Sequence, residues 1–164
     1  MSHTLFLGVG NTLLTDEGAG VHVMQHLRRQ AEWDDNVEFL DAGTLSFVLA
    51  DAIAQATNLI ILDAAQIGGT PGCVKTFEGS DFDDFLLGGR RSVHEVGFAD
   101  LMDIARLQDC LPEKRALIGI QPGDCGWGEV PGEAVSKAIP HAAALATDIL
   151  ARWQAEPPQE VVNQ

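Results

Sequence analysis

Apolar residues in this chain form short continuous runs, and each run is followed by a stretch in which apolar residues recur every three or four positions. The run "TLFLGVG" at 4–10 ends in glycines, and the following stretch places Val21, Met24 and Leu27 at helical spacing. The same order recurs with "VEFLDAG" and then "SFVLADAIAQA". Repeated strand–loop–helix units of this kind are typical of a parallel sheet covered by helices.

The second half of the chain continues this pattern with one exception. "NLIILDAA" at 58–65 is almost wholly apolar, as in a central parallel strand, whereas "CVKTFEG" at 73–79 alternates as in an antiparallel edge strand. We predict a mobile loop at 80–91, a helix beginning near His94 and a last strand "RALIGIQ". The final helix, "AVSKAIPHAAALATDILARW", is expected to kink or break at Pro140.

Five strands alternating with four helical patterns predict the fold class. We expect an α/β protein, a three-layer αβα sandwich around a five-stranded, mainly parallel sheet with one antiparallel edge strand. No repeat or linker divides the sequence, so residues 1–155 are predicted to form a single domain. The polar, proline-bearing end at 156–164 has the composition of a disordered tail.

Charge and cysteine content exclude several classes of function. The formal net charge is −14, with only ten Lys and Arg, so the chain is expected to repel nucleic acid and acidic membranes. No apolar run approaches the roughly 20 residues that cross a bilayer, and "MSHTLFLGVG" has no basic leader. The three cysteines form no CxxC pair. We therefore expect a cytoplasmic protein with reduced thiols. We also expect a monomer, because no predicted helix shows an extra apolar face.

The loop "GVGNTLLTDEGAG" resembles a nucleotide-binding glycine loop but lacks its essential features. Gly8 and Gly10 fit a dinucleotide fingerprint, but Leu13 stands where the third glycine belongs, and no Gly-Lys-Ser/Thr follows. Asp41, at the end of the second strand, imitates a ribose-binding acid, which keeps a nucleotide-binding domain as an alternative. Two acids at this place would nevertheless repel a phosphate.

Acidic residues follow two strands whose carboxyl ends are expected to meet. Glu17 follows the first strand, Asp63 closes the third, and His94 opens the helix after the fourth. Ligands of open α/β sheets bind at this edge, and two carboxylates with one imidazole suit a first-row divalent ion. Each of these residues also has a structural interpretation. Asp16 can be the N-cap of a helix, and Glu17 can interact favourably with the helix dipole. Asp63 can accept hydrogen bonds from backbone amides, and His94 can cap its helix.

Several segments together resemble one known family. They run in register from Thr4 to Leu150: "LGVGNTLLTDEGAGVHV", "FLDAGT", "LIILDA", "SVHEVGFADLM" and "LIGIQP". The chain resembles the hydrogenase maturation endopeptidases. The resemblance implies a protease that removes a short C-terminal extension from the large-subunit precursor of a [NiFe]-hydrogenase once nickel has been inserted.

The resemblance also implies roles for individual residues. Glu17, Asp63 and His94 match the positions that bind nickel, which the precursor carries, although other divalent ions can occupy such a site. Glu17 and Asp63 are therefore candidate catalytic residues. Asp41 matches a family acid that contributes to activity or to site geometry, although it can instead hold the Gly43–Thr44 turn.

Two further features bear on mechanism. Cys125 lies in "GDCGWGEV", a loop expected to rise at the same edge and to help select one precursor, and its thiol is expected to be passive because no histidine is nearby in sequence. Ser92 is interpreted as a helix cap rather than a nucleophile. A nickel-binding carrier without peptidase activity would use the same three ligands, and the residues alone do not separate it from a protease.

Overall fold

The computed structural model describes residues 2–30, 32–43, 49–88 and 95–156, with only the backbone at 95–97. Within these residues five strands form one sheet: β1 (Thr4–Val9), β2 (Val37–Gly43), β3 (Asn58–Ala64), β4 (Val74–Glu78) and β5 (Lys114–Ile120). Their order is β2-β1-β3-β5-β4, parallel except for β4, which runs antiparallel to β5 at the edge. The predicted sheet, including its antiparallel edge strand, is confirmed.

Helices cover both faces of the sheet. They are a 3₁₀ helix (Thr15–Gly18), α1 (Ala19–Gln30), α2 (Leu49–Gln55), α3 (Ser80–Leu87), α4 (Glu95–Leu107) and α5 (Glu133–Ala155). One core cluster joins α1 and α5 to the sheet, and a second joins α2, α3 and α4 to its other face. Every residue of β1 and β3 is buried because both faces of these strands are covered. The three-layer prediction is therefore confirmed.

The predicted loop at 80–91 is wrong over its first part, because residues Ser80–Leu87 form α3. Phe82 and Phe85 are three positions apart, and both are buried. The ring of Phe85 packs against Phe77 of β4, with centroids 4.2 Å apart. Asp81 lies in the first turn, where a negative charge favours the helix dipole and so supports this helix.

The long helix α5 continues through Pro140, so the break allowed by the sequence at that residue is absent. Glu156 follows the helix as a bend. Residues 157–164 lie outside the described part of the chain, and both the disordered tail and the single-domain boundary stay predictions. No helix in the described ranges is long and apolar enough to span a bilayer.

Candidate active site

The start of α1 lies directly against the carboxyl ends of the two central strands. A Cβ atom on Gly20 would lie 1.9 Å from the carbonyl oxygen of Leu62 and 2.5 Å from that of Val9, so only glycine fits. A Cβ atom on Gly10 would similarly lie 1.9 Å from the carbonyl oxygen of Glu17. These contacts hold the 3₁₀ helix, and Glu17 with it, over the end of β1 and in contact with β3.

Asp63 occupies the next-to-last position of β3, beside Gly119 of β5, and only 3% of it is exposed. Its neighbours Leu62 and Ala64 belong to the cluster under α1 and α5. Because side chains alternate along a strand, Asp63 points toward the layer of α2, α3 and α4. Glu17, half-buried on the 3₁₀ helix, lies at this same edge of the sheet, as the sequence predicted.

His94, the third predicted ligand, lies outside the described residues. The helix α4 begins at Glu95, and Phe98 and Leu101 pack in the layer toward which Asp63 points. The described side chains, to which His94 does not belong, contain no group of three His, Cys, Asp or Glu arranged to hold a metal ion. The ligand set of Glu17, Asp63 and His94 stays a prediction.

Asp41 is exposed and bonds within its own turn. Its Oδ1 accepts a hydrogen bond of 2.8 Å from the backbone N–H of Gly43, a residue whose φ is +52°. Leu40 and Ala42 pack in the cluster under α2, α3 and α4, so Asp41 points to the opposite face from Asp63. The bond fits the turn-holding alternative, and a role of Asp41 in catalysis stays a prediction.

Asp16 has a structural role that the sequence did not reveal. It lies inside the 3₁₀ helix, is 2% exposed, and does not act as the suggested N-cap. Its Oδ2 accepts a hydrogen bond of 2.8 Å from the N–H of Gly123, and its Oδ1 accepts one of 2.7 Å from the N–H of Gly132. One buried carboxylate thus fastens both ends of the β5–α5 loop, residues 121–132.

Thr15 and Leu13 add further bonds to this loop. Thr15 Oγ1 donates to the carbonyl of Asp124 at 2.6 Å, and its N–H donates to the carbonyl of Gly128 at 2.7 Å. The N–H of Gly128 donates in return to the carbonyl of Leu13 at 2.9 Å. We call these bonds, with those of Asp16, the loop clamp. It holds Thr15 at a φ of +42°, which is unusual for a residue with a Cβ atom.

Comparison with known proteins identifies the family. A family model described as HycI, hydrogenase maturation protease, matches residues 21–149. The hydrogenase expression/formation protein HupD of Rhizobium leguminosarum bv. viciae is 35% identical over 150 residues, which cover 91% of this chain and 74% of that protein. This chain belongs to the hydrogenase maturation protease family. The predicted resemblance is confirmed.

Solved structures of maturation proteases share the fold. The hydrogenase maturating endopeptidase HybD of Escherichia coli gives a TM-score of 0.86 at 30% identity, covering 92% of this chain and 93% of that one. The [NiFe] hydrogenase maturation protease HybD of Thermococcus kodakarensis gives 0.77 at 26% identity, covering 90% and 98%.

Cys125 of this maturation protease lies close to Glu17. Burial of the sulfur, followed by the negative charges of Glu17, Asp16 and Asp124, raises the pKa of the Cys125 thiol, and a hydrogen bond from the Glu17 backbone partly opposes this. The residue as a whole is exposed. A thiol with a raised pKa is mostly protonated at neutral pH and is a poor nucleophile, which agrees with the passive role expected for it.

The two histidines of α1 have different surroundings. His26 Nε2 is 2.8 Å from Nε2 of Gln30, within hydrogen-bond distance. The Nε2 atom of His22 is buried and has no hydrogen-bond partner in the described part of the chain. Burial, followed by the positive charge of Arg29, lowers the pKa of His22. His22 is therefore a neutral packing residue of the maturation protease.

Proposed function

We propose that this chain is an endopeptidase that removes the C-terminal extension of the nickel-loaded large-subunit precursor of a [NiFe]-hydrogenase. The observation that carries the proposal is the maturation protease model, which matches residues 21–149, supported by the HybD fold over 92% of the chain. The free cysteines fit a reducing compartment, so we place the reaction in the cytoplasm, with the chain acting as a monomer.

The nickel ion belongs to the substrate, and we propose that Glu17, Asp63 and His94 ligate it on the enzyme side. Carboxylate oxygens and an imidazole nitrogen suit a first-row divalent ion, and other ions of this class fit the same donors. Glu17 is half-buried and so accessible to a partner, whereas Asp63 is almost fully enclosed at the end of β3. Ligation would dock the cleavage site and make proteolysis conditional on nickel.

For the hydrolytic step we propose that water, rather than a protein thiol, attacks the scissile carbonyl carbon. The raised pKa of Cys125 keeps its thiol protonated, and the charged groups that act on this thiol are the carboxylates of Glu17, Asp16 and Asp124. A carboxylate accepts the proton of the attacking water, the C–N bond breaks, and the leaving nitrogen gains a proton. If Asp41 is that base, Asp41→Asn will keep precursor binding and lose turnover.

Intact mass spectrometry of the precursor tests this proposal. Wild-type protein is expected to release a C-terminal peptide from nickel-loaded precursor but not from nickel-free precursor, and Glu17→Gln is expected to release none. Glu113→Gln, which changes an exposed acid directly before the start of β5, is the matched control and should cleave normally. An unchanged precursor mass combined with tight, Glu17-dependent binding would favour the nickel carrier, and cleavage without nickel would refute metal gating.

A further inference from the structure

Large apolar side chains that remain exposed are concentrated beside the candidate active site. Five are exposed in the described ranges: Leu13 (49%), Leu87 (73%), Leu107 (87%), Trp127 (85%) and Val130 (75%). Three of these, Leu13, Trp127 and Val130, lie on the two segments that the loop clamp joins. We call these three residues the apolar rim.

The apolar rim is formed by segments that are far apart in sequence but bonded in the fold. The N–H of Gly128 donates to the carbonyl of Leu13 at 2.9 Å, and Leu14 and Gly128 form a parallel bridge. Trp127 precedes Gly128 directly, and Val130 lies between Gly128 and the Asp16-bound Gly132. The three residues of the rim therefore lie on two loops that are fastened to each other.

Rigid presentation of exposed apolar groups is a property of binding surfaces. The buried Asp16 carboxylate and the Thr15 hydroxyl fix the β5–α5 loop by its backbone, while Trp127 stays 85% exposed. A surface fixed before binding loses less conformational entropy on association. Tryptophan is also enriched among the residues that dominate binding energy, and exposed apolar patches mark interaction sites.

The position of the rim identifies its partner. Cys125, two residues before Trp127, interacts with both the charge and the backbone of Glu17. A partner that brings a scissile bond to Glu17 therefore comes close to this loop. Under the proposed function that partner is the precursor. A second copy is disfavoured, because each copy carries a net charge of −14 and Asp124 and Glu129 of the loop are exposed acids.

We propose that Leu13, Trp127 and Val130 form a docking surface for the folded hydrogenase large-subunit precursor. The matching patch on the precursor is an apolar pocket that receives Trp127 and is bordered by Lys or Arg side chains, which face Asp124 and Glu129. This inference rests on the proposed function and adds to it a recognition element separate from the nickel ligands.

Paired alanine variants test the docking surface. Trp127→Ala is compared with Leu107→Ala, which removes an equally exposed apolar side chain from the last residue of α4. We measure the Kd of the nickel-loaded precursor together with KM and kcat for cleavage. Trp127→Ala is expected to raise Kd and KM by about tenfold or more and to leave kcat nearly unchanged. Trp127→Phe should restore most of the affinity, and Leu107→Ala should match wild type.

Each alternative result has a definite meaning. If Trp127→Ala and Leu107→Ala give the same Kd and KM, the docking surface is refuted while the protease remains. If wild-type protein binds the precursor through Trp127 without cleaving it, the docking surface stands and the protease proposal fails. A failure of wild type to bind, or loss of a dimer in size-exclusion chromatography on Trp127→Ala, would overturn the docking proposal.

Discussion

The Asp16→Asn substitution is expected to loosen the β5–α5 loop and to destabilise the fold. Asp16 is 2% exposed, and its two oxygens accept bonds of 2.8 and 2.7 Å from the backbone of Gly123 and Gly132. Asparagine keeps one acceptor oxygen but turns an NH₂ group toward the second N–H donor. Losing one charge-assisted bond costs about 2–3 kcal/mol, which corresponds to a fall in Tm of about 4–12 °C for a chain of this size.

Urea unfolding followed by circular dichroism measures this loss, and hydrogen exchange of peptides from 121–132 shows where it acts. Asp124→Asn is the control, because Oδ1 of Asp124 accepts a 2.9 Å bond from Gly126 in the same loop, but at an exposed position. That change should cost less than about 0.5 kcal/mol. Faster exchange is expected in the loop of Asp16→Asn while the central strands keep their protection.

A urea midpoint for Asp16→Asn equal to that of Asp124→Asn would refute the reasoning. It would mean that the two buried hydrogen bonds of Asp16 contribute no more to the free energy of unfolding than the exposed hydrogen bond between Asp124 and Gly126. Faster hydrogen exchange spread evenly over the chain would also contradict the reasoning, because the effect of losing the Asp16 bonds would then not be confined to the β5–α5 loop. The functional consequence can be measured separately, since a loosened loop should raise the KM for the precursor through the displaced Trp127.

Two further predictions concern titrating groups. Because its pKa is raised, the Cys125 thiol should be alkylated slowly by iodoacetamide at neutral pH. Glu17→Gln removes a nearby negative charge and should speed this alkylation. An unchanged alkylation rate would contradict the electrostatic cause of the raised pKa. The pKa of His22 is lowered from its ordinary value of 6.5 in the folded protein, so below pH 6.5 the unfolded chain binds more protons at this residue than the folded chain does. The free energy of unfolding should therefore fall as the pH drops below 6.5. Urea midpoints should show a weaker fall for His22→Gln than for His26→Gln, and equal slopes would exclude His22 as the source.

The sheet was predictable because its signals are local. The uninterrupted apolar run at 58–65 reflects a strand that is buried on both faces, and the alternation at 73–79 reflects an edge strand with one open side. Helix α3 was not predicted, although Phe82 and Phe85 are three positions apart. That three-residue spacing was the available signal, and it places both rings on one helix face.

The candidate site was predictable only in part. Topology places Glu17 and Asp63 at one edge, because parallel strands end together there, and the structure agrees. The partners of Asp16 are 107 and 116 residues away, so no local pattern distinguishes a loop anchor from a helix cap. His94 lies outside the described residues, and the complete ligand set and the role of Asp41 stay predictions.

The loop clamp constrains the backbone of the β5–α5 loop but not its exposed side chains. On the β5–α5 loop, the clamp bonds use only main-chain atoms, namely the N–H groups of Gly123, Gly128 and Gly132 and the carbonyls of Asp124 and Gly128. Gly128 is constrained because a Cβ atom there would lie 2.9 Å from Cγ2 of Thr15. The outward-facing side chains are not constrained in this way. If they dock the precursor as proposed, they can differ between relatives and change the choice of substrate while the chemical centre stays in place.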